Sequence, residues 1–296
     1  MAPQAMQPKA FTFTETARHD TYPEINPSTQ DCSGKSILVT GANRGIGKAQ
    51  VLSYARAGAS QIAVGSRSDA SDVVAACLAA SSEAGKAAPA VIWVKLDVCD
   101  QASVDAALEQ VKKEFGRLDV LVNNSGVLHP AGGLIDHPTE TYIHTWDVNF
   151  WGTYRVTKAF LPLMLEGGDK TVIFTTSVGA HVVIPHLGAY NIGKFALCRL
   201  AEYVDVEYGE QGVLCYSYHP GGIITDLSLN LPTHVQGILT DTVELGADTL
   251  IFLTSKKRDW LAGRYLSANS DMPELMALEE EIVKGDLLKF KGSFGD

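Results

Sequence analysis

The chain has 296 residues, 46% hydrophobic and 20% charged, with a formal net charge of −10; that length allows one large α/β domain or two small ones, and the acidic balance argues against general attraction to nucleic acid or anionic lipid. Its five cysteines, Cys32, Cys77, Cys99, Cys198 and Cys215, are scattered and form no CxxC pair, which speaks against a disulfide framework or a zinc motif and for reduced, mostly buried thiols. No run of about 18 apolar residues occurs, so no membrane span is expected.

Residues 1–33 are polar, carry Pro3, Pro8, Pro23 and Pro27, and show no lasting periodicity. They read as an N-terminal extension partly wrapped on the body through Phe11, Phe13 and Tyr22, ahead of a single domain over residues 34–296. The segment lacks the apolar core of a signal peptide, and Glu15, Asp20, Glu24 and Asp31 make it too acidic for a transit peptide. A cytoplasmic location is the expectation.

From Lys35 short apolar runs alternate with helical spacing. The runs are Ile37–Val39, Ile62–Val64, Val91–Val94, Val120–Val122, Val172–Phe174 and Val213–Tyr216, with a last one around Tyr265 and Leu266. Between them lie helical patterns near 46–57, 71–84, 101–115, 140–165, 190–209 and 242–254. Repeated strand–helix–strand units predict an α/β fold: one doubly wound, Rossmann-type, mostly parallel sheet with helices on both faces.

The first strand runs into Gly41-Ala-Asn-Arg-Gly45-Ile-Gly47 and then a helical pattern. Gly41 permits a tight turn, Gly45 lets backbone approach a pyrophosphate, and Gly47 allows close helix–strand packing. The helix N-terminus favours the anion. The spacing is GxxxGxG rather than GxGxxG, and its place in the first βαβ unit gives it weight. The second strand ends at Gly65-Ser66-Arg67. Arg67 stands twenty positions beyond Gly47, where an acid would hold the ribose 2′-hydroxyl of NAD. With Arg44 it suits a 2′-phosphate, so NADP(H) is favoured over NAD; the other reading leaves Arg67 solvated and gives the acid's work to Asp69. Asp97, at the end of the third strand, can accept from an adenine amino group or cap the next helix, for which Asp100 is better placed. Asn123-Asn124-Ser125-Gly126 follows the fourth strand, either lining the ligand crevice or making a plain turn.

Tyr190-Asn-Ile-Gly-Lys194 opens a helical stretch. The i, i+4 spacing puts phenol and ammonium on one face. A nearby ammonium lowers a tyrosine pKa, which makes Tyr190 a usable general acid or base. Ser177, at the end of the fifth strand, can donate to a substrate carbonyl. Asn149 is a polar residue inside an apolar helix: a satisfied amide, or a break or water site that feeds protons to Lys194.

Taken together, Thr40-Gly-Ala-Asn-Arg-Gly-Ile-Gly47, Asn123-Asn-Ser-Gly126, Asn149, Ser177, Tyr190-x-x-x-Lys194 and Pro220-Gly-Gly-Ile-Ile-Thr225 resemble the short-chain dehydrogenase/reductase family over residues 34 to about 270. Ser125 departs from the usual Ala, and the extension resembles fungal members. The resemblance implies that Tyr190 protonates a carbonyl oxygen as hydride arrives from the nicotinamide. It implies that Lys194 binds the nicotinamide ribose and depresses the Tyr190 pKa, that Ser177 orients the carbonyl, and that Asn149 supports a relay water. Pro220 and Thr225 would line the nicotinamide side. The implied cofactor set is Gly41, Asn43, Arg44, Gly45, Ile46, Gly47, Ser66, Arg67, Asp97, Val98, Asn124, Gly126, Tyr190, Lys194, Pro220, Gly221, Ile223 and Thr225. The implied catalytic set is Asn149, Ser177, Tyr190 and Lys194, with no metal. Homodimers or homotetramers through the helices near 140–165 and 190–209 are a further implication.

His129, His181, His186 and His219 fall near strand ends, without metal-ligand spacing; the first three are the better candidates for touching substrate. Residues 225–240, with Leu227, Leu229, Leu231 and Ile238, read as an irregular lid suited to a hydrophobic substrate. The leading expectation is an NADP(H)-dependent oxidoreductase acting between a carbonyl and a secondary alcohol of a small or medium organic substrate. Alternatives are an NAD-dependent alcohol dehydrogenase, an isomerase, epimerase or cyclase without net redox change, and a non-catalytic cofactor sensor. The full Asn149, Ser177, Tyr190, Lys194 set speaks against the last.

Overall fold

In a computed structural model, residues 12–292 are described. The seven expected strands all form: β1 Ser36–Thr40, β2 Gln61–Ser66, β3 Ala90–Lys95, β4 Val120–Asn123, β5 Thr171–Thr175, β6 Leu214–His219 and β7 Tyr265–Ser267. They make one sheet in the order β3-β2-β1-β4-β5-β6-β7, and every neighbouring pair is parallel. The order reverses between β1 and β4, which opens a crevice at their carboxyl ends.

Side chains alternate across each strand, so the sheet feeds two cores. Ile37, Val39, Ile62 and Val64 pack with Val51, Tyr54, Val73, Leu250 and Ile251. These come from helices α1 Gly45–Arg56, α2 Ser71–Glu83 and, after three helices on the other face, α8 Val243–Ser255. On the opposite face Leu38, Ala63, Leu121 and Val172 pack with Val104, Val111, Val156, Phe160 and Leu197. Those belong to α3 Gln101–Phe115, α5 Thr153–Leu165 and α6 Gly188–Tyr208. Burial on both faces explains the continuous apolar runs of the central strands.

Two expectations are refined, and two helices appear that the sequence pattern does not announce. The single helix expected near 140–165 is α4 Thr139–Trp146, a π-helical turn over Asp147–Gly152, and α5, which carries Pro162. Residues 225–240 hold a short turn at Ser228–Asn230 and α7 Thr233–Gln236. Two short helices, α9 Met272–Ala277 and α10 Glu279–Lys284, lie beyond the last strand. Asp100, as the better placed of two aspartates, caps α3 by accepting from Ala102 N.

Residues 12–33 lie against the body as a strap. Phe11 falls outside the described residues and Phe13 is exposed, but Tyr22, Ile25 and Cys32 sit in the first core. The Tyr22 hydroxyl accepts from Met272 N at 2.8 Å. Ala17 forms an antiparallel bridge with Ser270, and Arg18 pairs with Asp271 at 2.6 Å. Thr21 donates to the buried Asp248, which also accepts from Ser53 of α1. Ile25 is wholly buried, so Ile25→Ala should cost about 2–5 kcal/mol through lost burial and a residual cavity. Urea unfolding of the two proteins measures it, and a difference under 0.5 kcal/mol (roughly a surface substitution) would show that the strap is not part of the core.

Candidate active site

The loop after β1 is held by two constraints. Gly41 has φ +65°, with Ser125 packed where a side chain would point. A Cβ on Gly47 would lie 2.5 Å from both the Gly41 carbonyl and Asn124 Nδ2, a contact no other residue tolerates. Asn124 donates to Thr40 O at 3.0 Å, while Thr40 Oγ1 accepts from the backbone N–H groups of Asn124 and Ser125. The loops after β1 and β4 are thus bolted together across the reversal point.

Above them lies a cavity of about 500 Å³ lined by Gly41, Asn43, Arg44, Gly45, Ile46, Ser66, Arg67, Asp97, Val98, Asn124, Gly126 and Thr225. Gly47 lies beneath this lining. Arg67 is exposed, whereas Arg44 is drawn to Asp226 across the mouth. Ser66 Oγ donates to Ser68 O and accepts from Trp93 Nε1, so that hydroxyl serves the loop. Asp97 Oδ1 accepts from Cys99 N. Asp69 accepts from Ser71 at the start of α2 and does not line the cavity. The pocket dimensions, the N-terminus of α1 and the cationic rim fit a dinucleotide.

A second cavity of about 500 Å³ shares Ile46, Asn124, Gly126, Thr225 and Leu227 with the first, so the two form one cleft. It brings together Ser177, Tyr190, Lys194, Pro220, Gly221 and Ile223. Ser177 is set by the end of β5, where its Oγ accepts from Gly179 N at 3.1 Å. Tyr190 and Lys194 stand on the first turns of α6. Lys194 Nζ donates to Thr175 O at 2.7 Å and lies 5.5 Å from the Tyr190 ring centre.

The expected lowering of the Tyr190 pKa is not seen in the protein alone. Burial raises the phenol to about 12, against a lowering hydrogen bond to Ser177. Burial also brings Lys194 down to about 8. Desolvation is the leading cause of both shifts.

Asn149 lies in the π-helical turn and lines neither cavity. Its Oδ1 accepts from Val127 N at 2.8 Å and its Nδ2 donates to Val127 O at 2.9 Å. The helix widens here into the π-turn without ending, and the amide is satisfied not within the helix but by the loop after β4. That loop passes Lys194: a Cβ on Gly126 would lie 3.2 Å from Asn149 Oδ1 and 3.7 Å from Lys194 Nζ. π-turns often mark functional positions in helices.

Of the four histidines, the one ranked last lines the second cavity. His219 does so, whereas His129 pairs with His144 at 2.9 Å, His181 packs edge-on against Tyr265, and His186 sits in a loop with φ +69°. Sequence reasoning also missed the cavity's outer wall, formed by Thr12, Glu15, Ala17 and His19 of the strap with Asp241 and Asn269. The buried Asp241 carboxylate joins these pieces: it accepts from Gly222 N, Asn269 Nδ2 and, at 2.6 Å, faces His19 Nδ1. No sequence motif signals the His19 contact, because its two members lie 222 positions apart.

Comparison with known proteins gives the setting of this geometry. The family described as short chain dehydrogenase matches residues 35–236. A short chain dehydrogenase of Monascus purpureus is 45% identical over 97% of this chain and 99% of its own. Another, of Emericella variicolor, is 36% identical over 94% and 95%. Among solved structures, a short-chain type dehydrogenase/reductase of Mycobacterium marinum superposes with TM-score 0.71 at 27% identity, over 83% of this chain and 97% of that one. A 7α-hydroxysteroid dehydrogenase complexed with NADH and 7-oxo glycochenodeoxycholic acid shares the fold, with TM-score 0.71 at 22% identity over 84% and 97% of the two chains.

The buried lysine yields a test. Burial holds Lys194 down to about 8, below the ordinary lysine value of about 10.4, so between these pH values the unfolded chain binds more protons. Wild-type stability should therefore rise with pH there relative to Lys194→Met, by up to about 1.4 kcal/mol per pH unit. Melting curves of both proteins from pH 7 to 9.5 measure the difference; a constant offset would mean that Lys194 is not desolvated.

Proposed function

The chain belongs to the short-chain dehydrogenase family of oxidoreductases, and from that premise we propose that it is an NADP(H)-dependent enzyme interconverting a carbonyl and a secondary alcohol on an apolar substrate of medium size. One observation carries the reading: Ser177, Tyr190 and Lys194 converge on a cavity continuous with a dinucleotide-sized cleft above the N-terminus of α1. The bound nicotinamide supplies or takes the hydride.

The chain's own groups handle the oxygen. Ser177 Oγ donates to the carbonyl oxygen and holds its lone pairs toward Tyr190. The Tyr190 O–H bond breaks as its proton passes to that oxygen, leaving a phenolate beside the Lys194 ammonium. A phenol with a pKa near 12 is a reluctant acid, so the ammonium matters most once the proton has left. Asn149 acts as a positioning residue, pinning the Gly126–Val127 loop against Lys194. Residues 34–296 form the catalytic domain in this reading, and residues 1–33 an added segment.

Preference for NADP(H) rests on Arg67, exposed at the cleft with no acid beside it, and on Asp69 turned toward α2. Exposed Trp151, Tyr154, Phe195, Tyr203 and Val206 on the π-turn, α5 and α6 support a homo-oligomer; sedimentation as a single copy would contradict that. Among the described residues no helix is long and apolar enough to cross a membrane, and the cytoplasm is the proposed location.

Tyr190→Phe should lower turnover about 10²–10⁴-fold while cofactor affinity stays within about twofold, because the ring and the cleft remain. Full activity in that variant would remove Tyr190 from the chemistry. Separately, Arg67→Glu should weaken NADPH binding at least about 10-fold more than NADH binding, a difference of about 1.4 kcal/mol. Fluorescence titration with both nucleotides reads this, and equal losses would argue against 2′-phosphate recognition.

A further inference from the structure

Among the described residues four side chains in the wall of the catalytic cavity have unused hydrogen-bonding atoms: the hydroxyls of Thr175 and Thr176 at the end of β5, and the side chains of His219 and Asn269, which lie together at the ends of β6 and β7. His219 ends β6 and is 3% exposed, and neither ring nitrogen has a partner. Asn269, just beyond β7, is 2% exposed, and its Oδ1 has none either. Buried polar groups are nearly always paired, so such vacancies point to a missing partner. Both residues line the cavity that holds Ser177 and Tyr190.

The chemistry of the vacancy can be specified. Asn269 Nδ2 donates to Arg18 O at 2.9 Å and to Asp241 Oδ2 at 2.8 Å. Two acceptors on that side fix which end of the amide is nitrogen, so the free atom is an oxygen, an acceptor only. Burial lowers His219 to about 4, so at neutral pH its ring is uncharged and offers one N–H donor and one acceptor. The two residues are tied through the strand ends: Ala268 N donates to His219 O at 2.9 Å. Asp241 and His19 stand beside them, and across the cavity lie the apolar side chains of Leu128, Ile184, Leu187, Leu231, Val235 and Leu239.

An acceptor beside a donor-and-acceptor, facing a cavity with apolar side chains on its other side, is the complement of a hydroxyl group. We propose that His219 and Asn269 form a second polar subsite, and that the substrate is an apolar ketone or alcohol bearing an additional hydroxyl away from the reacting carbon. That hydroxyl donates to Asn269 Oδ1 and accepts from the His219 N–H. The strap takes part, since Arg18 O holds the asparagine amide in place. His219 is then a specificity-determining residue. This inference rests on the oxidoreductase reading of the same cavity.

The test compares 1-tetralone with its 5-, 6- and 7-hydroxy derivatives. Binding to the NADP⁺-loaded protein is measured by calorimetry and turnover with NADPH by absorbance. At least one hydroxy isomer should bind the wild type about 10-fold or more tightly than 1-tetralone. His219→Leu should bring that ratio to within about twofold; His219→Gln, which keeps a donor and an acceptor, should restore most of it. An unchanged ratio in His219→Leu overturns the subsite. So does a wild type that prefers none of the hydroxy isomers, which would leave the vacancy to a structural water. A His219-dependent preference in binding without any turnover would instead sustain the subsite and sink the reductase reading.

Discussion

The contact on which this structure turns is the approach of Asn124 to the Gly41 carbonyl, with Gly47 pressed beneath both. It lies where the sheet order reverses, so β1 and β4 are neighbours whose following helices go to opposite faces. A crevice opens there in any such fold. What this chain adds is a locked pair of loops, held by one threonine hydroxyl and one amide. Dinucleotide cleft and catalytic cavity share Asn124 and Gly126. The register of one therefore sets the register of the other.

Around that fixed point the chain collects groups that a stable protein would avoid. Among the described residues Lys194 is buried without a carboxylate partner and the His219 ring has no hydrogen bond, while Tyr190 holds its proton more tightly than a free phenol. Each costs stability where it stands. The two cores offset that cost, because the strands are apolar on both sides and the helices seal them. Asn149 shows how local irregularity is put to use: the widened π-turn presents its amide sideways, where it grips Val127 as a strand partner would.

Much of this was legible in the sequence, for physical reasons. The first five strands are marked by runs rich in Val and Ile, because a fully covered parallel sheet has no polar face to interrupt them, whereas β6 and β7 show only through Leu, Cys and Tyr. The glycines at 41, 45 and 47, with Ser177, Tyr190 and Lys194, were legible because fixed local spacing carries their geometry. Other features were not. The π-turn changes the helix path without disturbing apolar periodicity. The pKa of Tyr190 depends on total burial, which spacing does not report. The roles of His19, Asp241 and Asn269 arise from long-range docking, and His219 was ranked behind its neighbours because nothing local distinguishes it. Ser66 illustrates a subtler limit: its position beside the cleft was right, but its hydroxyl is consumed by Trp93 and Ser68.

The strap carries a temporal consequence. Arg18 and Asp271 stand 253 positions apart, and the bridge from Ala17 to Ser270 closes the outer wall of the catalytic cavity. On the ribosome, β1, α1 and β4 emerge and can dock long before β7 does. The first cavity still waits for Thr225 and Asp226 and the second for Asn269, so the strap, made before β1, can seat only after the whole sheet has formed.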